Sequence, residues 1–364
     1  MAIQKINILF TSPFGNFVGG GQWSLYYLIK YIDKDRFEPF VILPEEGTFY
    51  DKLIKENVKV DILLYRKITQ FNICKLIKLR RFLKKNNIQL IHTDDTTDTF
   101  YFGLVGKLLN IPVIWHIRVG ERNIFLDKFL TKLADKLITV SKTLSLKFPW
   151  VMKSKIVTIY NGIDLKGDTE FRHNILSNYP IQNKIVVANI GRICDQKGQF
   201  ELIKKIENIN SKAVLIFIGE NNTPEYHKIN EYVRKHNIGD RIFFTGYLND
   251  IQSIYNDIDI LTVTSIYGEG FPRTIIESMS HSIPVISTDC IGASESISNN
   301  ETGYIIKGND FNLYVEKLND LINLKNKRIE FGKNGYKRVK TYFDAEKMSK
   351  SVQLIYLQII QNRL

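Results

Sequence analysis

Apolar and polar positions in the first half of the chain switch repeatedly between two rhythms. KINILFTS (5–12), FEPFVILP (37–44), VKVDILL (58–64), IQLIHTD (88–94), IPVIWHI (111–117) and KLITVS (136–141) are short, apolar, β-rich runs. Between them lie stretches such as QWSLYYLIKYI (22–32), whose apolar residues recur at helical spacing. The first rhythm predicts strands buried on both faces, and the second predicts helices that cover them. Alternation of the two predicts a parallel sheet with helices on both sides.

Around NGIDLKGDTEFRHNILSNYPIQN (161–183) the pattern breaks into Gly, Asn and charge, which predicts a linker with a short helix. The alternation then restarts. KIVVANIGRI (184–193), AVLIFIGE (213–220), RIFFTGY (241–247), IDILTVTS (258–265), IPVISTD (283–289) and GYIIK (303–307) predict strands, with QFELIKKIENI (199–209) and YHKINEYVRKHNI (226–238) as helices. From Asn312 to Leu364 the tail is helical in pattern. The expected architecture is therefore two α/β domains, 1–165 and 175–344, of similar size. Ligands of such sheets bind beyond the C-terminal ends of the strands, so with two sheets the expected site is the cleft between them.

At 364 residues the chain is long enough for two sizeable cores. Cys74, Cys194 and Cys290 have no metal-type spacing and are too few for a disulfide framework, which suits a reducing compartment. No apolar run approaches the roughly 20 residues of a membrane-spanning helix. The N-terminal run Ile6–Phe10 resembles a first strand rather than a signal peptide, so a cytoplasmic protein is expected. Charge is uneven: residues 1–180 hold 27 Lys/Arg against 17 Asp/Glu, and residues 181–364 hold 23 against 21. A basic N-terminal half implies an anionic partner, whether nucleic acid, an acidic membrane surface or a phosphorylated substrate, or else a solvated basic surface.

Four stretches can carry chemistry. The glycine loop FGNFVGGGQ (14–22) follows the first strand and feeds a helix whose free N–H groups suit an anion, yet it matches neither a P-loop nor G-x-G-x-x-G. NIGRICDQKGQ (189–199) places Arg192 and Lys197 in a loop at a strand end, where both could meet one anion. In YGEGFPRTIIESMS (267–280), Gly270 and Pro272 break any helix that would carry both Glu269 and Glu277. Glu269 is then expected in a loop and Glu277 about one turn into a helix that Pro272 or Arg273 begins. Its N-terminus at Pro272–Thr274 would present N–H groups to an anion, with Glu277 placed to accept hydrogen bonds from a ribose. The competing reading makes Glu269 a partner of the helix dipole and Glu277 a solvated helix residue. Fourth, His116 ends an apolar strand and is followed by Arg118 and Arg122. A lone histidine there is more often structural than catalytic. The D-x-D matches at Asp33–Asp35 and Asp257–Asp259 are chance patterns, no His/Cys cluster has zinc spacing, and no metal is expected.

Taken in order, VGGGQ, His116, ADKLITVS (134–141), NGID (161–164), GRICDQKG (191–198), FFTGYLND (243–250) and EGFPRTIIESMSHSIPVISTD (269–289) resemble the retaining GT-B glycosyltransferases, and more narrowly glycosyltransferase family 4. The resemblance spans most of the chain, and its E-x7-E element is the most specific part. It implies a GT-B fold of two Rossmann-like domains facing each other across a cleft. The tail AEKMSKSVQLIYLQIIQ (345–361) would cross back onto the N-domain, so that 345–364 joins it. It also implies that Glu277 binds the ribose and that Glu269 contacts the transferred sugar. Arg192 and Lys197 would hold the donor diphosphate, and His116 would reach the donor sugar. Gly19 and Gly20 would lie near the phosphates and acceptor, Gly246 and Tyr247 near the base, and the backbone of Gly270, Phe271, Pro272, Arg273 and Thr274 near sugar and phosphate oxygens. The implied reaction is metal-independent, retaining transfer from a nucleotide-diphosphate sugar (UDP or GDP), with no other cofactor. Its acceptor would be a saccharide or a lipid-linked one, in cell-envelope polysaccharide or glycolipid synthesis. Pro272 stands where some relatives have glycine, removing one backbone donor, and Gln22 stands where an acid is frequent.

CKLIKLRRFLKK (74–85), basic with interleaved Ile, Leu and Phe, would lie on an anionic bilayer at the inner face of the cell membrane, or form an ordinary surface helix. Two other functions fit the same chain: a GT-B nucleotide-sugar epimerase, or a non-catalytic nucleotide-sugar or nucleic-acid binding protein. The basic half permits nucleic acid, but no aromatic-interleaved recognition motif supports it, and no nucleic-acid partner is expected.

Overall fold

The computed structural model describes residues 5–63, 73–120, 123–165, 175–248 and 251–363. Arg122, the linker segment 166–174 and the end of the FFTGYLND stretch lie outside the described residues. The chain divides into two compact units, Met1–Asp164 with Asp344–Leu364, and Leu165–Phe343.

In the N-terminal unit, seven strands form one sheet: β1 (Ile6–Thr11), β2 (Phe37–Leu43), β3 (Lys59–Ile62), β4 (Leu90–Thr93), β5 (Val113–Ile117), β6 (Lys136–Thr139) and β7 (Ile156–Thr158). Their order is β3-β2-β1-β4-β5-β6-β7, and every pairing is parallel. Helix Gly20–Lys30 packs against the returning helix Ala345–Gln361, while helices Ile73–Lys85, Thr96–Leu109 and Ile124–Leu133 pack side by side. The two helical layers explain why β4 and β5 read as continuous apolar runs: every residue of both strands is buried. Asp344 starts the returning helix by accepting a hydrogen bond from Lys347 N at 2.9 Å.

In the C-terminal unit, β8 (Ile185–Ile190), β9 (Ala213–Ile218), β10 (Ile242–Gly246), β11 (Ile260–Val263), β12 (Val285–Thr288) and β13 (Gly303–Ile306) are ordered β10-β9-β8-β11-β12-β13, again all parallel. Its core joins strand residues such as Leu215 and Ile286 to Tyr314, Leu318 and Phe331 of the C-terminal helices. QFELIKKIENI is not one helix. It divides into a short α-helix, Gln199–Ile203, and a 3₁₀ turn, Ile206–Asn208, and Leu202, Ile203, Ile206 and Ile209 from both pieces join the same core.

Each sheet reverses its strand order once, between β1 and β4 in the first unit and between β8 and β11 in the second. At such a point the connecting helices leave to opposite faces, and the loops after the two central strands part to leave a crevice. Gly19 and Gly20 follow β1, Arg192 and Lys197 follow β8, and Glu269 through Glu277 follow β11, whereas His116 lies in β5 and Gly246 ends β10.

Candidate active site

In the C-terminal unit the crevice is built by the loops after β8 and β11. Asn189, near the end of β8, donates from Nδ2 to Thr262 O and Thr264 Oγ1, both at 3.1 Å. Thr264 Oγ1 donates to Lys197 O at 2.6 Å, and Ile266 N donates to Gln196 O at 2.9 Å. Gly198 permits this close approach: its φ is +62°, and a Cβ there would lie 2.3 Å from Thr264 O. The stitched loops bring Lys197 Nζ into direct ion-pair contact with Glu269 Oε1, which also accepts from Ser265 Oγ at 2.7 Å. The lysine and glutamate side chains are 27% and 12% exposed, so the pair is shielded yet reachable. Glu269 also pushes on Cys290, whose thiol is raised to about 12 by burial first and by this carboxylate second.

Arg192 sits in the same loop but is exposed, and its guanidinium has no partner among the described residues. The two bases therefore stand differently: Lys197 is already paired, and Arg192 is free to reach an incoming anion.

Helix Arg273–Ser280 begins where the Gly–Phe–Pro interruption predicts, with Pro272 as its N-cap. Ile275 N donates to Pro272 O at 3.2 Å, and the N–H groups before it precede any i−4 acceptor of the helix, which makes this end attractive to an anion. The Arg273 side chain points away from that role. It is buried, with Nε 3.1 Å and Nη2 3.0 Å from Glu277 Oε1. Tyr255 Oη donates to Glu277 Oε2 at 3.0 Å, and its ring stacks on His281 at 4.8 Å. Burial, and then the Glu277 charge, hold the Tyr255 hydroxyl well above its usual range. Glu277 is thus a buried, anchored carboxylate rather than a solvated helix residue. Gly270 and Phe271 are buried beside this helix, Thr274 is half-buried, and the Phe271 ring lies 5.4 Å from Phe343. Gly246 ends β10 and accepts from Gly219 N at 3.0 Å, with Tyr247 exposed directly after it.

In the N-terminal unit, Gly19 and Gly20 are exposed at the start of helix Gly20–Lys30. Gln22 is buried and its Oε1 accepts from Gly19 N at 3.1 Å, so it closes the helix's first turn. His116 is not alone. Its Nδ1 lies 3.1 Å from His92 Nε2 and 3.2 Å from Arg118 Nη2. Arg118 in turn grips Asp94 with Nε at 3.0 Å and Nη2 at 3.2 Å, and donates from Nη1 to Asn161 Oδ1 at 3.1 Å. Tyr356, from the returning helix, meets His92 Nδ1 at 2.8 Å. Burial holds both imidazoles below their usual range, His116 well below because Arg118 and His92 add to the effect. Burial alone would raise the Asp94 carboxyl, but Arg118 and His92 outweigh it and hold it below the ordinary value.

His92, Asp94 and His116 offer three ligand-type atoms within 4.8 Å of one another. A guanidinium is a poor neighbour for a cation, and Arg118 already takes both Asp94 oxygens and the His116 lone pair. The cluster is an ion-paired hydrogen-bond network in which a metal would first have to displace Arg118. Sequence reasoning missed His92 and Asp94, along with Ser265 and Tyr255. IHTDD ends the strand beside the His116 strand, and two polar strand-ends adjacent in one parallel sheet are a readable signal once strand order is known.

Comparison with known proteins adds to this geometry. Residues 172–338 match the family model described as glycosyl transferases group 1, and residues 18–166 match that of glycosyltransferase family 4. An Escherichia coli UDP-Gal:alpha-D-GlcNAc-diphosphoundecaprenol alpha-1,3-galactosyltransferase is 24% identical over 93% of this chain and 97% of its own length. Staphylococcus aureus CapM, a capsular polysaccharide biosynthesis glycosyltransferase, is 28% identical over 64% of this chain, which spans 63% of that relative. Among solved structures, a Rickettsia africae glycosyltransferase aligns over 99% of this chain and 100% of its own, with a TM-score of 0.86 and 22% identity. Anabaena HepE in complex with UDP and glucose aligns over 96% of this chain and 99% of its own, with a TM-score of 0.84 and 19% identity.

Proposed function

We propose, from the premise that this chain belongs to the GT-B glycosyltransferases of family 4, that it moves a sugar from a nucleoside-diphosphate sugar to a saccharide or lipid-linked acceptor. The observation that carries the proposal is the Lys197–Glu269 pair at the β8/β11 crevice, with Arg192 free beside it. Breaking a sugar–phosphate bond leaves negative charge on the diphosphate and positive character on the sugar. A lysine, an arginine and a helix N-terminus stabilise the first, and a carboxylate released from the lysine stabilises the second. The C-terminal unit would thus hold the donor, with Glu277 toward the ribose and Gly246–Tyr247 toward the base. The N-terminal unit would hold the acceptor, with Gly19 and Gly20 at its loop and His116 directed to the donor sugar.

Several finer features belong to the same proposal. The donor is a UDP-sugar, as the UDP bound by HepE supports. Charge stabilisation by Arg192 and Lys197 makes transfer metal-independent, and stereochemistry is retained. A lipid-linked acceptor, as named for the E. coli relative, suits a protein working at the inner face of the cell membrane. No described helix is long and apolar enough to cross a membrane. Helix Ile73–Lys85 contains no acid, and Ile73 and Ile77 are exposed on it. Phe125 on helix Ile124–Leu133 is 87% exposed, and that helix's one acid, Asp127, is buried. Exposed apolar residues among basic ones fit an anionic headgroup layer, each Lys or Arg contributing about 1 kcal/mol near the surface.

Thermal melting against a panel of UDP-, GDP-, ADP- and CMP-sugars tests the donor assignment. Selective stabilisation by UDP-sugars, lost in Glu277→Ala, is the expected outcome. Equal stabilisation of the variant would remove Glu277 from the donor site.

A further inference from the structure

The network behind His116 dictates which nitrogen of that ring carries its proton. Arg118 can only donate, so His116 Nδ1, 3.2 Å from Arg118 Nη2, must be an acceptor. A neutral His116 therefore carries hydrogen on Nε2. His92 Nε2, 3.1 Å from the same acceptor and 3.6 Å from Asp94 Oδ1, must then be a donor as well. That leaves His92 Nδ1 as an acceptor for the Tyr356 hydroxyl at 2.8 Å. One permanently charged guanidinium thus orients two imidazoles and a phenol in series. A proton on His116 Nδ1 would face two N–H donors, so the geometry excludes the imidazolium. With both rings neutral, the groups around them, Asp94, Arg118 and Tyr356, leave no second arrangement that satisfies all of them.

At the far end of the series, His116 Nε2 is buried with no hydrogen-bond partner among the described residues. A buried N–H left without an acceptor keeps its desolvation penalty uncompensated. A site that maintains this cost while saturating every other nitrogen is prepared for an oxygen acceptor brought by a ligand.

We propose that His92, Arg118 and Tyr356 are positioning residues that lock His116 as a neutral Nε2–H hydrogen-bond donor, so that it orients an acceptor oxygen of the substrate and takes no part in proton transfer. The identity of that oxygen as a sugar hydroxyl rests on the function proposed above. The locked tautomer does not.

Nitrogen-15 NMR of the histidine-labelled full chain, without substrate, tests the lock directly. The expected result is the Nε2–H tautomer for both His92 and His116, with His116 still neutral where an ordinary histidine titrates, at about 6.5. An Nδ1–H tautomer at His116, or titration near the ordinary value of about 6.5, overturns the proposal whether or not the protein transfers sugar. In Tyr356→Phe, His92 Nδ1 loses the hydroxyl that donates to it, and mixed tautomers should appear at His92 while the fold persists. If the His92 signal is unchanged there, Tyr356 is not part of the lock. Transfer assays then separate a donor from a general base. His116→Gln, whose amide N–H reaches about as far as Nε2, should retain activity within roughly tenfold, whereas His116→Ala should lose roughly a hundredfold or more. Equal loss in both variants, with a pH limb that disappears from the profile, would assign His116 to proton transfer instead.

Discussion

At Glu277 the carboxylate is held on both oxygens, by Arg273 on Oε1 and by Tyr255 on Oε2. Both partners of the ion pair are buried, so removing the arginine alone leaves a desolvated charge. Arg273→Met should destabilise the C-terminal unit by about 3 kcal/mol, measured by calorimetric unfolding. Tyr255→Phe, which loses one hydrogen bond to a charged group, should cost about 2 kcal/mol. If Arg273→Met unfolds like the native chain, the Arg273 side chain does not support the carboxylate. The motif made Glu269, Lys197 and Glu277 legible as candidates, because helix-breaking residues and loop glycines have local signatures. It could not reveal that Lys197 pairs with Glu269 and Arg273 with Glu277. Those pairings depend on loops more than 70 residues apart, or on which side of a helix a long side chain takes. Gln22 shows the reverse case: read as a departure from an acidic pattern, it serves its own helix as a first-turn cap.

At the scale of elements, strand and helix rhythms foretold the two parallel sheets, because strands covered on both faces must be apolar throughout. Strand order was not legible. Period and composition do not say that β4 lies beside β1 or β11 beside β8, and it is those neighbours that form the crevices. For the same reason His116 looked solitary in sequence, while β4 delivers His92 and Asp94 to its side. The β8 loop depends on Gly198, whose φ is left-handed and where an added Cβ would lie 2.3 Å from Thr264 O, leaving no room for a side chain. Gly198→Ala should cost more than about 1 kcal/mol and shift the Lys197 main chain away from Thr264. A nucleotide-induced melting shift reduced well beyond the loss of intrinsic stability is the expected reading, and an unchanged shift would show that the loop position is not critical.

For the whole molecule, acid stability follows from the buried histidines. Below about pH 6.5 the unfolded chain protonates His92 and His116 while the folded chain does not, because both folded values lie below the ordinary one. The unfolded state then binds more protons, so stability falls as pH drops from about 6.5, by up to about 1.4 kcal/mol per pH unit for each histidine. Asp94, whose folded value is depressed, adds stability that is lost only as pH falls below its ordinary value of 3.8. All three tryptophans, Trp23, Trp115 and Trp150, lie in the N-terminal unit, so their fluorescence in urea reports its unfolding. The urea midpoint should fall between pH 7.5 and 5.5, and less steeply in His116→Gln. The central claim, that the β8/β11 crevice receives the diphosphate of a nucleotide sugar, meets its most direct test in calorimetric titration of UDP into the native protein, Lys197→Met and Arg192→Met. Native binding, weakened about tenfold or more in each variant, is the expected result. UDP affinity unchanged in both variants would contradict it and place the diphosphate elsewhere.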